Sequence, residues 1–219
     1  LKHIVDNSLI NLNGDLKILS LGNDYSCNLE CPSCRSEIRL MSKGEVDEQI
    51  KRFNSLISEV GSSLSLIHIA GDGDPFASQF YHHILNKTDW DQFPSLKIRF
   101  QTNGNALTPK KWNSLPESVR NKVAEIGISI DGATSSTYNR LRLGGDFDSL
   151  VKNIKYLSKM PERTQQNIKL NLNMIVQNGN YREMLPLIEL GESWGVDMIS
   201  FTYLSNWGTF EKNSYPSSP

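Results

Sequence analysis

The chain lacks an excess of charge of either sign, because its 219 residues carry 23 Lys and Arg against 24 Asp and Glu, a formal net charge of −1. Nucleic-acid-binding proteins usually concentrate a basic excess on one face. The charges here are balanced and interspersed along the sequence. This pattern disfavours a nucleic-acid partner and a polyanionic substrate.

Long apolar runs are also missing. No stretch reaches the roughly 18 apolar residues that a membrane-spanning helix needs. The beginning of the chain has no charged start, apolar centre and small-residue cleavage site of the kind that marks a secretory signal. These absences predict a cytoplasmic protein with no membrane partner, and the length suits one main domain.

Cysteine is scarce, since Cys27, Cys31 and Cys34 are the only three in the sequence. An odd number at such close spacing excludes a conventional disulfide framework. Soft thiolates gathered in one short segment suit zinc or an iron–sulfur cluster. The alternative is that they are unrelated small core residues.

Zinc and an iron–sulfur cluster differ in the further ligands that they require. Zinc would require a fourth ligand, although no histidine lies at zinc-finger spacing. The candidates are His3, His68, His82 and His83. A four-iron cluster held by three thiolates would instead leave one iron open to a small molecule.

Short apolar runs alternate with helical patterns, which is the rhythm of βα units. The runs predict six strands with little room for a solvent-facing side, at Leu16–Gly22, Leu64–Ala70, Leu96–Thr102, Val123–Ile130, Ile168–Val176 and Met198–Leu204. Helices are predicted between them at Glu45–Val60, Ala77–Asn86, Pro109–Asn121, Phe147–Met160 and Tyr181–Trp194.

Parallel strands joined by right-handed crossovers favour an α/β fold, an open partial (β/α)6 TIM-like barrel, with an open doubly wound sheet as the alternative. We expect residues 1–15 to be an N-terminal extension that could form a hairpin. Residues 16–206 are expected to form the partial-barrel core, and residues 207–219 a tail that starts a further C-terminal region, with disorder expected from Asn213 to Pro219.

Polar or glycine-rich segments follow the predicted strands, where parallel βα architectures place their functional residues. Each segment alone is typical of an ordinary turn. The candidate residues are Gly71, Asp72, Gly73, Asp74, Pro75, Asn103, Ser129, Asp131 and Asn173.

Taken together, the Cys-x3-Cys-x2-Cys loop and the Gly-x-Gly-Asp-Pro turn after the second strand resemble the radical S-adenosylmethionine (SAM) enzymes. The resemblance covers roughly residues 16–206. It implies that Cys27, Cys31 and Cys34 hold a 4Fe-4S cluster whose open iron binds SAM. It further implies reductive cleavage of SAM to a 5′-deoxyadenosyl radical, which abstracts hydrogen from a substrate.

The resemblance also implies the residues that contact SAM. Residues Gly71 to Pro75 match the family motif that meets the methionyl ammonium group, with Asp74 where Glu is common. Asn103 at the end of the third strand joins this cofactor-binding set. The ribose and carboxylate contacts map to Ser129, Asp131, Arg142 and Asn173, with Arg140 as the alternative to Arg142.

One residue of the cysteine loop departs from the family pattern. Ser33 precedes the last cysteine, where an aromatic residue often contributes to the adenine pocket. Adenine would then pack on Val176, Phe201 or Tyr203, unless these are plain core residues. Tyr25, Ser26 and Asn28 are candidate hydrogen-bond donors to the cluster sulfurs.

Later segments resemble a subgroup whose members continue into a cysteine-rich SPASM or twitch domain, which often accompanies peptide modification. The chain has no cysteine after Cys34, so a core lacking that domain is expected. The implied partners are an external electron donor such as flavodoxin or ferredoxin and a peptide, protein, sugar or small-metabolite substrate. The alternatives are a non-catalytic zinc or iron–sulfur electron-transfer module and a nucleotide-binding α/β regulator.

Overall fold

The computed structural model describes residues 16–69 and 72–206. Within them one sheet contains six parallel strands in the order β1-β2-β3-β4-β5-β6. The strands are β1 Ile18–Leu21, β2 Leu66–Ile69, β3 Lys97–Thr102, β4 Val123–Ser129, β5 Lys169–Val176 and β6 Met198–Tyr203. The predicted extension and tail, Ala70 and Gly71 lie outside the described residues.

The strand order decides between the two predicted architectures. A doubly wound sheet reverses its strand order at a switch point, whereas here each strand pairs with the next one along the chain. Right-handed crossovers between consecutive neighbours place all connecting helices on one side of the sheet. The open partial barrel is therefore confirmed, and the doubly wound alternative is wrong.

The helices match most of the prediction. They are α1 Lys43–Val60, α2 Gln79–Lys87, α3 Pro109–Asn113, α4 Glu117–Arg120, α5 Ser135–Leu141, α6 Phe147–Lys159, α7 Pro161–Gln166 and α8 Met184–Trp194. Short 3-10 turns occur at Gly61–Ser63, Trp90–Gln92 and Tyr181–Glu183.

Three helical details correct the prediction. The helix expected over Pro109–Asn121 is two helices, because Pro116 stands in the connection and cannot continue the hydrogen-bond ladder. The sequence pattern missed α5 and α7, which are short and have no long apolar stripe. Thr134 caps α5 by accepting from the Thr137 backbone N–H.

The longest helix, α1, begins at a local capping motif. Ser42 and Glu45 form a capping box at the start of α1, which satisfies backbone donors at the helix end. Val46, Phe53 and Ile57 lie on its buried side. This stripe packs into the main apolar core, which also contains the strand residues that face the helices.

The sheet has two chemically different faces, contrary to the expectation of strands with little room for a solvent-facing side. In β3, Ile98, Phe100 and Thr102 are buried, while the alternating Arg99 and Gln101 are half-buried. The strand register extends the face that carries Arg99 and Gln101 onto the next strand, because Arg99 pairs with Glu125 and Gln101 pairs with Gly127. Because successive strand residues face opposite sides, one face packs on helices and the other is polar.

No helix in the two described ranges is both long enough and apolar enough to cross a membrane.

Candidate functional site

The three cysteines lie in the segment that follows β1, at the carboxyl edge of the sheet. Cys27 and Cys31 are buried, whereas Cys34 is exposed. Burial raises the pKa of the Cys27 and Cys31 thiols above the ordinary value. Metal binding would replace those protons, since a thiolate is the ligand form.

N–H donors from different elements approach the sulfurs. Leu29 N lies 3.4 Å from Cys27 Sγ and Asn103 Nδ2 lies 3.8 Å from it. Arg35 Nη2 is 3.5 Å from Cys34 Sγ, and Arg142 Nη1 is 4.0 Å from Cys31 Sγ. Donors of this kind stabilise the negative charge of thiolates. This donor set fits a thiolate-held cluster.

Of the three side chains predicted to donate to sulfur, Tyr25 donates to another group, whereas the side-chain oxygens of Ser26 and Asn28 accept hydrogen bonds. Tyr25 donates its hydroxyl to Glu45 Oε1 at 2.7 Å. Ser26 Oγ accepts from Met41 N, and Asn28 Oδ1 accepts from Asn103 Nδ2 at 2.9 Å. Asn103 therefore connects the end of β3 to the cysteine loop both through Asn28 and through the Cys27 sulfur.

Asp24 anchors the start of the loop. Its carboxylate is fully buried and accepts from Ser26 N at 2.6 Å and from the Ser78 hydroxyl. Tyr81, one turn into α2, donates its hydroxyl to Leu21 O at the end of β1. These bonds tie the cysteine loop to the beginning of α2.

The predicted Gly-Asp-Pro turn packs directly against that loop. Asp74 N donates to Ser26 O at 2.7 Å. A Cβ on Gly73 would lie 2.5 Å from Ser26 O and 2.6 Å from Asp24 O. Glycine is therefore required by the close approach of two backbones. Asp72 is exposed and Pro75 is buried.

The Asp74 carboxylate is already engaged by neighbouring donors. Oδ2 accepts from Thr102 Oγ1 and Asn103 N, each at 2.7 Å, and Oδ1 accepts from Phe76 N at 2.9 Å. Burial raises the pKa of the Asp74 carboxyl, and these hydrogen bonds oppose the rise. The side chain thus braces the turn against β3.

A buried ion pair lies across the loop from that turn. Arg142 Nε donates to Asp131 Oδ2 at 2.8 Å, and Asp131 Oδ1 accepts from Ile175 N at 2.8 Å. Burial alone would lower the pKa of Arg142, but the Asp131 carboxylate raises it. Arg140, the alternative candidate, instead donates to Gly179 O at 2.9 Å. Of the two arginines, Arg142 is the one brought to the cysteine loop.

A row of hydrogen-bonded side chains crosses the polar face of the sheet. Gln101 Nε2 donates to Ser129 Oγ at 2.9 Å, and Asn173 Nδ2 donates to Gln101 Oε1 at 3.1 Å. The Ser200 hydroxyl donates to Asn173 Oδ1. We call Gln101, Ser129, Asn173 and Ser200 the polar row. Gly127 lies beneath it, where a Cβ would meet Gln101 Oε1 at 2.4 Å.

The candidates for adenine packing lie on the other face. Val176 and Phe201 belong to or pack against the main core, and strand alternation places them opposite Asn173 and Ser200. Tyr203 pairs with Val176 and is 72% exposed. The core interpretation is therefore the one that the structure supports for Val176 and Phe201.

The histidines do not join the cysteines. His68 pairs with Arg99 in the sheet, and His82 and His83 line a cavity of about 490 Å³ beside α2. His3 lies outside the described residues. In the part of the chain that is described, no three His, Cys, Asp or Glu side chains are grouped to hold a single metal ion.

A four-iron cluster makes a different demand from zinc. Four zinc ligands must converge on one ion at about 2.0–2.3 Å. Three thiolates bound to three separate irons of a cluster are spread more widely. The loop, with its N–H donors to sulfur, therefore fits a cluster better than it fits a mononuclear zinc site.

Some site residues escaped the sequence analysis. Gln101 and Ser200 had no motif, although strand alternation together with the pairing order would place both beside Asn173. Glu183 accepts from Ala133 N at 2.6 Å and from the Thr134 and Thr137 hydroxyls, and so fixes the start of α5. No local pattern signals that contact, because it joins residues about 50 positions apart.

The structure combines an open sheet of six parallel strands with a three-cysteine loop after its first strand. This is the core architecture of the radical SAM enzymes. The proteins to which the chain is similar are radical SAM enzymes, which confirms the resemblance seen in the motifs.

Among curated proteins, the chain is 25% identical to mycofactocin maturase MftC of Mycobacterium tuberculosis over 134 residues, which is 61% of this chain and 32% of that protein. MftC of Mycolicibacterium smegmatis is 26% identical over the same length. The chain thus spans about a third of the length of the curated relatives that it matches. No family model matches it.

Among solved structures, Streptococcus suis SuiB aligns with a TM-score of 0.61 and 17% identity over 95% of this chain and 44% of SuiB. The anSMEcpe structure with bound AdoMet aligns with a TM-score of 0.54 and 18% identity, over 88% of this chain and 50% of that one. At these identities the likeness concerns the fold.

Proposed function

We propose that the chain is the core of a radical SAM enzyme, with residues 16–206 as the core domain and Cys27, Cys31 and Cys34 as the ligands of a 4Fe-4S cluster. One observation carries the proposal: N–H donors from the loop itself and from the residues that directly follow β3 and α5 approach the three sulfurs at the carboxyl edge of a parallel sheet. When bound, the cluster and SAM supply reductive cleavage of SAM to a 5′-deoxyadenosyl radical.

The chain's own residues would bind and orient SAM around that loop. Backbone carbonyl groups of Asp72 and Gly73 would meet the methionyl ammonium group, because the Asp74 side chain is held by Thr102 and Asn103 and the Asp74 carbonyl accepts from Ala77 N and Ser78 N. Arg142, oriented by Asp131, offers N–H groups to the carboxylate. Gly71 completes the motif in the sequence and lies outside the described residues.

Ser129 and Asn173 would face the ribose from the polar row. Ser129 Oγ accepts a hydrogen bond from the Gln101 amide. The Ser129 hydroxyl can therefore still donate its own hydrogen to a ligand. Asn173 uses one amide hydrogen on Gln101 and keeps the second. The row is therefore rich in donors, which suits ribose and substrate oxygens. Adenine would pack near Ile175, which shares this face.

The proposed substrate is a peptide or protein, from which the radical abstracts a hydrogen atom. The support comes from the neighbours: SuiB has been solved bound to the precursor peptide SuiA, and anSMEcpe with bound AdoMet and a peptide. The polar face opposite the helices would receive it. Its mix of amide, hydroxyl and charged groups matches a peptide backbone better than an apolar ligand.

The test is electron paramagnetic resonance of the anaerobically reconstituted protein after dithionite reduction, with and without SAM, together with detection of 5′-deoxyadenosine. We expect a reduced-cluster signal that shifts with SAM. Alanine at each cysteine should abolish it, while Ser33→Ala in the same loop should retain it. A SAM-indifferent signal would point to an electron-transfer module, and stoichiometric zinc that persists during iron reconstitution would contradict the proposal.

A further inference from the structure

A cavity of about 490 Å³ lies between α2 and α3. Its lining includes His82, His83 and Lys87 from α2 and Lys111 from α3. Among the described residues that line it there is neither a residue of the cysteine loop nor an Asp or Glu. We call it the basic cavity. Its volume falls within the roughly 300–1,000 Å³ that small-molecule sites occupy.

The positive groups of the basic cavity have no carboxylate beside them in the described lining. The ion pairs between described residues involve none of His83, Lys87 and Lys111. Burial lowers the pKa of His82, and the charges of Lys111 and His83 lower it further. Like charges held together in this way repel one another, and a bound anion would offset that repulsion.

Hydrogen-bond donors remain on this lining for such an anion. Asn86 donates its side-chain amide to His82 O at 2.7 Å, and the same nitrogen lies 3.3 Å from His82 Nδ1. With Nδ1 as the acceptor of that contact, neutral His82 carries its hydrogen on Nε2. The two lysine ammonium groups add three N–H donors each. The Ser78 hydroxyl, by contrast, is already donated to Asp24.

Part of the lining is apolar. Phe76 and Ala77 belong to it, and the Phe76 ring contacts the Phe100 ring with centroids 5.1 Å apart. Phe100 is a fully buried residue of β3, so the core holds this part of the wall in place. An apolar wall beside cationic groups suits an anion that carries an organic body.

We infer that the basic cavity binds a small organic molecule through its phosphate group. A phosphate monoester carries about −1.5 to −2 charges at pH 7 and three strong acceptor oxygens, so it can meet several cations at once. A carboxylate offers a single charge and two oxygens. Lysine is a common phosphate-binding residue, acting as a point charge. The inference is independent of the proposed function, because it involves neither the cysteines nor SAM.

The experiment measures binding of phenyl phosphate to the purified full chain by titration calorimetry at neutral pH. Inorganic phosphate and benzoate are compared with it, because the first lacks the organic body and the second lacks the phosphate. Lys111→Met removes a charge from the lining. Lys110→Met is the matched control, since Lys110 is an exposed lysine of the same helix that does not line the cavity.

We expect phenyl phosphate to bind most tightly of the three anions. Lys111→Met should weaken its binding about tenfold, the size expected for loss of one charge-assisted hydrogen bond. Lys110→Met should leave the affinity unchanged. No binding of phenyl phosphate, or an equal loss in both variants, overturns the proposal. Equal affinity for benzoate would overturn the choice of phosphate, and equal affinity for inorganic phosphate would overturn the choice of an organic molecule.

A second measurement follows the cavity without changing its charges. Proton NMR records the C2–H resonances of the histidines across a pH series, with His82→Gln used only to assign the His82 signal. Phenyl phosphate should raise the pKa of His82, because a nearby anion stabilises the imidazolium form. His68 lies in β2 and should keep its pKa. An unchanged pKa of His82, or an equal change at both histidines, would contradict binding in this cavity.

Discussion

Arg142 spans the distance between a buried carboxylate and a cysteine sulfur, with Nε 2.8 Å from Asp131 Oδ2 and Nη1 4.0 Å from Cys31 Sγ. Asp131 also accepts from Ile175 N. One residue at the end of α5 is thereby connected to the cysteine loop and to β5. The pair couples three parts of the site that are far apart in sequence.

Removing one partner of this pair should be more costly than replacing both. Asp131→Ala leaves the Arg142 charge buried and unpaired, so the free energy of unfolding should fall by about 3–5 kcal/mol. Asp131→Leu combined with Arg142→Met removes both charges and should lose less than Asp131→Ala alone. Urea unfolding of the variants measures this, and a double variant that loses as much free energy of unfolding as Asp131→Ala, or more, would contradict the coupling.

Gly73→Ala should disturb the cysteine loop. The new Cβ would lie 2.5 Å from Ser26 O and 2.9 Å from Ser26 N, and backbone atoms cannot move aside as a flexible side-chain end can. We expect iron bound per chain after reconstitution to fall several-fold. Gly44→Ala is the control, since nothing lies within 4 Å of its Cβ position. Equal iron content in both variants would show that the loop tolerates the shift.

Asn103→Ala should make the cluster harder to reduce. The variant removes the N–H donor that lies 3.8 Å from Cys27 Sγ, and such donors stabilise the more negative, reduced form of a cluster. The midpoint potential, from a redox titration followed by electron paramagnetic resonance, should become more negative. Asn23→Ala, whose side chain bonds Gln49 at 2.7 Å, is the control. A potential shared by both variants would count against a role for Asn103.

Asp197 should contribute stability that depends on pH. Burial acts to raise its pKa, but hydrogen bonds from Leu170 N and Arg163, with the Lys169 charge, lower the pKa below its ordinary value. A lowered folded-state pKa adds stability above the unfolded pKa of about 3.9, and this is lost as pH falls through the folded value.

Asp197→Asn should therefore destabilise the protein by about 1 kcal/mol near neutral pH, and by less as the pH approaches 3. Urea unfolding at a series of pH values measures the difference from the unmodified protein. A constant difference across the series would show that the charge of Asp197 is not what stabilises this corner of the sheet.

The sequence predicted the βα order well because each strand and most helices carry a local signal. The apolar stripe of Val46, Phe53 and Ile57 and the Ser42 cap make α1 visible in the sequence. The helix α5 was missed because it is short and has no long apolar stripe, and part of what holds its start is Glu183, a residue from another part of the chain. Contacts of that kind follow from packing, which no local pattern records.

The same division applies to the site. By itself the sequence determined the class of fold, the three-cysteine loop and the glycine turn, because these depend on residue type and short spacing. Only the tertiary structure decided that Arg142 rather than Arg140 reaches the loop, that Asp74 braces β3, and that Val176 faces the core. Those outcomes depend on strand register and loop path, which bring together residues from separate βα units.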